Sequence, residues 1–227
     1  MEGRIDLMEE QMIGSNRDPV APRRSFLRRV GGTAVLTLAA LASRESRAQA
    51  PAAGADGPNW PGALDGRHRQ VVDAYELNSG FPLAFAHTFL FPNQSASAVV
   101  VLRHGAFPIA LADPMWDKYK IGESMKIIDP ETKAPAKKNP FLRPKAGVLP
   151  LDDMAVDRLL ARGVVFGACN VALTVQSKML SGNAGVSADD AAKEWAANII
   201  PGITVIPSGT WGVNRAQEAG CSYCAGG

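Results

Sequence analysis

The chain reads as a three-layer α/β protein, a mainly parallel sheet with helices on both faces. Two observations predict this. Short apolar runs alternate with stretches of helical spacing, and the runs are unbroken rather than alternating with polar residues, as expected when both faces of a sheet are covered. A third observation sets the size. Removing an N-terminal export segment leaves 177 of the 227 residues, enough for one domain that buries roughly 70% of its unfolded surface.

The export segment comes first. "PRRSFLRR" precedes "VGGTAVLTLAALA" and "SRESRAQA". Paired arginines, a modest apolar run and an A-x-A ending form a secretory signal, here read as residues 1–50 with cleavage after Ala50. Arg23 and Arg24 followed by Phe26 and Leu27 are similar to the twin-arginine signal, which directs folded proteins to the periplasm. Pro22 stands where that signal usually carries Ser or Thr. The apolar run is 13 residues long, whereas a spanning helix needs roughly 20, so no stable membrane anchor is expected after cleavage. Eight of the 24 basic and six of the 22 acidic residues lie in this segment, leaving sixteen of each. A neutral mature chain carries no electrostatic case for nucleic acid.

Residues 51–67, rich in Pro, Gly and Ala, read as a flexible leader to a domain spanning 68–227. "RQVVDAY" reads as a strand. In "NSGFPLAFAHTFL", Leu83, Ala86, Phe89 and Leu90 share a helical face, with Asn78 or Ser79 as cap. Val99 to Leu102 form a buried strand. Residues 112–150 hold six prolines and many lysines and read as an irregular excursion outside the core. "DDMAVDRLLARG" gives a helix ending at Gly163. Val164–Ala168 then gives a strand, and a helix follows from about Val171 to Leu180. Ser187-x-x-Asp190 is a capping-box pattern opening the next helix. "GITVIPSG" is a strand, "TWGVNRAQEAG" a helix, and the tail "CSYC" a further short strand.

Ligands of open parallel sheets bind beyond the carboxyl ends of the strands. Cys169 lies at such an end, with Asn170 or Cys169 itself as the cap of the following helix. Free N–H groups there favour thiolate over thiol and can bring a cysteine pKa into the range of roughly 3.5–7.5. A free cysteine is also often a small buried hydrophobe, and position alone leaves the two readings level. His104 follows the Val99–Leu102 strand and belongs to the same edge, as a thiolate assistant, an anion ligand or the anchor of a turn. Trp116, Lys118 and Tyr119 read as a lid whose Lys118 attracts an anion, or as core packing by Trp116. Cys221 and Cys224 form a C-x-x-C, the spacing of a redox pair or local disulfide. Neither they nor His68, His87 and His104 have the spacing of a metal site. No G-x-S-x-G, H-E-x-x-H or P-loop occurs, so hydrolase chemistry is unsupported and no cofactor is implied.

The stretches "VVVLRHGAFPIAL", "WDKYKIGE", "NPF", "LLARGVVFGACNVAL", "PGITVIPSGTWGVNRAQEAG" and a final "SY" resemble the DsrE/DsrF-like sulfur-relay family, in its exported twin-arginine subgroup. The resemblance implies a small three-layer α/β domain assembled as a homo-oligomer. It also implies that Cys169 holds sulfane sulfur as a persulfide, exchanged with sulfur donor and acceptor proteins or small anionic sulfur species. The activity implied is a sulfur carrier or at most sulfurtransferase-like, and "CSYC" departs from the family pattern. Two other classes remain open: a non-catalytic oligomeric binding or assembly module with Cys169 buried, and a periplasmic metal-binding protein.

Overall fold

The computed structural model describes residues 58–227; residues 1–50, read above as an export signal, and residues 51–57 of the expected leader lie outside the described residues. Five strands form one all-parallel sheet: β1 (His68–Ala74), β2 (Ala96–Leu102), β3 (Val165–Cys169), β4 (Ile203–Ile206) and β5 (Ser222–Ala225), in the order β4-β3-β2-β1-β5. The expected α/β class and the short tail strand are both present. The central strand explains the unbroken apolar runs. Val100 and Leu102 of β2 face one core, Val99 and Val101 the other, and all four are fully buried.

The chain leaves β1 through α1 (Phe81–Leu90) to β2, and leaves β2 through α2 (Asp113–Lys118), α3 (Ile121–Ser124) and α4 (Val156–Ala161) to β3. It then passes through α5 (Asn170–Leu180) and α6 (Ala188–Ala197) to β4. Residues of these connections build the larger core on the first face. The last crossover, α7 (Gly209–Glu218), covers the second face and carries the chain back past three strands to β5 beside β1. Helix starts follow the cap rule. Ser187 accepts from the Asp190 N–H and Ser208 from the Trp211 N–H. For α1 the expected cap is displaced. Asn78 and Ser79 sit in left-handed backbone within a tight turn, and Gly80 occupies the cap position with no side-chain bond.

Two stretches depart from the sequence reading. From Trp60 onward the leader packs onto the sheet. Trp60 and Leu64 are buried in the second-face core, and the Trp60 indole N–H donates to the Phe166 carbonyl at 3.3 Å. A Cβ on Gly167 of β3 would lie 2.6 Å from the Trp60 ring, and one on Gly212 of α7 would lie 3.3 Å from it. Two glycines therefore open a slot for one indole, and α7 alone would leave this face partly bare. Pro and Gly gave the segment its appearance of a tether.

The 112–150 excursion is irregular beyond α3 but contributes to the core, where Met115, Trp116, Tyr119, Ile121, Phe141 and Leu142 are buried. Trp195 of α6 stacks on Phe107 (centroids 6.1 Å apart) and meets the Tyr119 ring edge-on at 5.5 Å. Asn139 ties the segment down. Its amide donates to the carbonyls of Ile109 (2.9 Å) and Leu111 (2.8 Å), and its oxygen accepts from the Phe141 N–H at 3.0 Å. Buried backbone without regular structure needs such partners, and one side chain supplies three.

Candidate functional site

All five strands run the same way, so their carboxyl ends share one edge, and that edge gathers Asp73, Arg103, Cys169 and Ser208. Cys169 is the last residue of β3 and the cap of α5. Its extended backbone lets Sγ turn back over the first turn of the helix, where it accepts the Ala172 N–H at 3.4 Å. A sulfur thus occupies the place usually taken by a serine or aspartate oxygen, at the positive end of the helix dipole. The residue is only 6% exposed and belongs to the first-face core. Asn170, the alternative cap, is the first residue of α5, and its carbonyl accepts from the Thr174 hydroxyl at 2.9 Å.

His104 lies on the same edge, as its position after β2 predicts, and its ring is engaged by a carboxylate. Nδ1 pairs with Glu76 at 2.9 Å, and the side chain is 73% exposed. His104 has left-handed backbone, and its carbonyl accepts from the Gln176 side chain of α5 at 2.6 Å. Its observed role is to shape the turn. Lys118 is engaged by a carboxylate of α6. Its ammonium lies 2.6 Å and 2.7 Å from the Glu194 carboxylate, and Tyr119 donates to the same group at 2.7 Å. Those two partners hold the Glu194 carboxyl below the ordinary carboxylate range, whereas burial and then Glu194 push the Tyr119 phenol up. Trp116 is fully buried, and its indole N–H donates to the Leu111 carbonyl at 3.3 Å.

Cys221 and Cys224 do not form a redox pair. Both are free thiols; Cys221 lies in the second-face core, whereas Cys224 packs against the first. Residues three apart along an extended chain are about 10 Å apart and point to opposite faces, beyond the roughly 7 Å limit between Cα atoms for a disulfide. Burial pushes both thiols up. No group of three or more His, Cys, Asp or Glu side chains suited to a metal ion occurs among the described residues.

Sequence reasoning missed Arg103. Register pairs Leu102 with Ala168, so the next residues, Arg103 and Cys169, end neighbouring strands, which run about 4.8 Å apart. Arg103 forms a fork with Asp73, Nε donating to Oδ1 at 2.6 Å and Nη2 to Oδ2 at 2.8 Å. Its guanidinium also lies 5.2 Å from the Tyr75 ring centroid. The hydrogen bond to Asp73 raises the Arg103 pKa against the opposing effect of burial. The available signal was an arginine directly after a buried strand, with an aspartate near the end of the strand beside it.

No protein-family model and no curated protein sequence matches the chain.

Proposed function

We propose that the protein is an exported sulfur carrier that holds sulfane sulfur as a persulfide on Cys169. The observation that carries this reading is the N–H of Ala172 donated to Cys169 Sγ at 3.4 Å. An anionic sulfur at that position gains from the helix N-terminus and its free N–H groups. The thiolate attacks the outer sulfur of a donor persulfide. One S–S bond forms as another breaks, and the donor leaves as its thiolate, so no outside oxidant is needed. The DsrE/DsrF-like motifs quoted above support the same role and the assembly of several copies. The paired arginines support export to the periplasm by the twin-arginine route, and no helix among the described residues is long and apolar enough to cross a membrane.

Loading is read by intact mass after polysulfide treatment. The wild type and the Cys221→Ser/Cys224→Ser double variant gain one sulfur atom, and Cys169→Ser gains none. Loading of Cys169→Ser would refute the carrier reading. The 6% exposure of Cys169 favours a second reading, a non-catalytic binding module in which the thiol is core. Alkylation of the folded protein separates the two: a carrier is modified at Cys169 ahead of the buried Cys221 and the half-buried Cys224, a module is not.

A further inference from the structure

We infer that the groove of about 160 Å³ between Arg103 and α7 binds a small molecule through a single oxyanion group, a carboxylate or a sulfur oxyanion. The anchor is the end of the guanidinium that Asp73 leaves open. A guanidinium carries five N–H donors in a fixed plane. Asp73 takes the side formed by Nε and Nη2. One Nη1 hydrogen and the outer Nη2 hydrogen form a second fork, from which no hydrogen bond is made to the described residues. Two parallel N–H groups match the two oxygens of a carboxylate or sulfonyl group.

The fork is held in place from several sides. Tyr223 donates to Asp73 Oδ2 at 3.1 Å, so the buried carboxylate is engaged at both oxygens and keeps its orientation. The Arg103 stem passes over Gly209, where a Cβ would lie 2.3 Å from Arg103 Cδ; only glycine at the start of α7 admits that path. The remaining walls are Thr210, Val213, Asn214 and Gln217, one face of α7 by their spacing. They offer a hydroxyl and two amides to the rest of the ligand. A purely structural ion pair requires neither an open second fork nor a polar groove in front of it. The volume lies below the roughly 300–1,000 Å³ of sites for drug-sized ligands, which limits the ligand to a few non-hydrogen atoms. Arg103 and Asp73 together are neutral, so recognition is by short-range geometry and not by a long-range field.

Cys169 does not line the groove, and the site does not rest on the persulfide reading. Calorimetric titration of the folded protein with sulfite, thiosulfate and acetate in chloride-free buffer tests it. Saturable binding is expected for the wild type and equally for Cys169→Ser. Response to acetate identifies a carboxylate site, and response to the sulfur oxyanions alone identifies a sulfur-oxyanion site. Arg103→Lys keeps Asp73 neutralised but removes the fork, and should weaken binding by at least about tenfold. Asn214→Leu, at an exposed position, fills the groove without touching the ion pair and should also weaken it. No saturable binding by the wild type, or unchanged affinity in both variants, overturns the assignment.

Discussion

Replacing Trp60 with alanine tests whether the segment before β1 is a structural element. A buried tryptophan removes roughly 150–250 Å² from water. At about 25 cal/mol per Å² that is about 4–6 kcal/mol, and the bond to the Phe166 carbonyl adds about 1 kcal/mol. The loss is offset by chain freedom. Once the indole is gone, residues 58–60 can detach and regain about 1–2 kcal/mol each. Midway values leave a net loss of about 1.5 kcal/mol, below that of aromatic-to-alanine changes in a core whose chain stays in place. For a chain of this size that lowers the melting temperature by roughly 3–6 °C. Circular dichroism melts measure it, with Trp60→Phe as control: a phenyl ring fills part of the slot lined by Gly167 and Gly212 and should recover more than half of the loss. A shift under about 2 °C, or equally fast proteolysis of residues 58–66 in the wild type and the variant, would refute the packing argument.

Asn139→Ala strands the carbonyls of Ile109 and Leu111 and the Phe141 N–H; it should destabilise by about 3 kcal/mol, read by urea titration. Glu194 has a folded pKa lowered by Lys118 and then Tyr119, so its contribution is present above the unfolded carboxylate value and is lost as pH falls through the lowered folded value. Glu194→Gln should flatten that acid limb of the stability curve; an unchanged limb would contradict the assignment.

The regular part of the fold was legible because local and tertiary signals agree there. The β2 run Val99–Leu102 is apolar on both sides, and both sides are buried. Ser187 and Asp190 announce α6 with the bonds they make. Legibility failed where a residue's partner lies far along the chain. Trp60 meets Phe166 across 106 residues, and Lys118 meets Glu194 across 76. Lysine-rich and proline-rich composition says nothing about such partners. For the tail cysteines, motif spacing suggested proximity, but strand geometry imposes separation. Cys169 was placed correctly because strand end and helix start are both local features. Arg103 was missed because its significance depends on Asp73 from another strand.

The edge that holds Cys169 and Arg103 divides them by face. Arg103 follows Val99 and Val101 in the alternation of β2 and therefore turns to the second face, where α7 supplies the groove. Cys169 is drawn the other way because it caps α5, and it joins the first-face core. Neighbouring backbone positions thus serve two separate environments, one enclosed and one open. If sulfur loading and oxyanion binding belong to these two environments, they are separable. Cys169→Ser should lose loading and keep binding, and Arg103→Lys should lose binding while Cys169 still loads from a donor that carries no oxyanion. Joint loss of both activities in either variant, with the fold intact, would place the two groups in one site and require ligand contact across the end of β2.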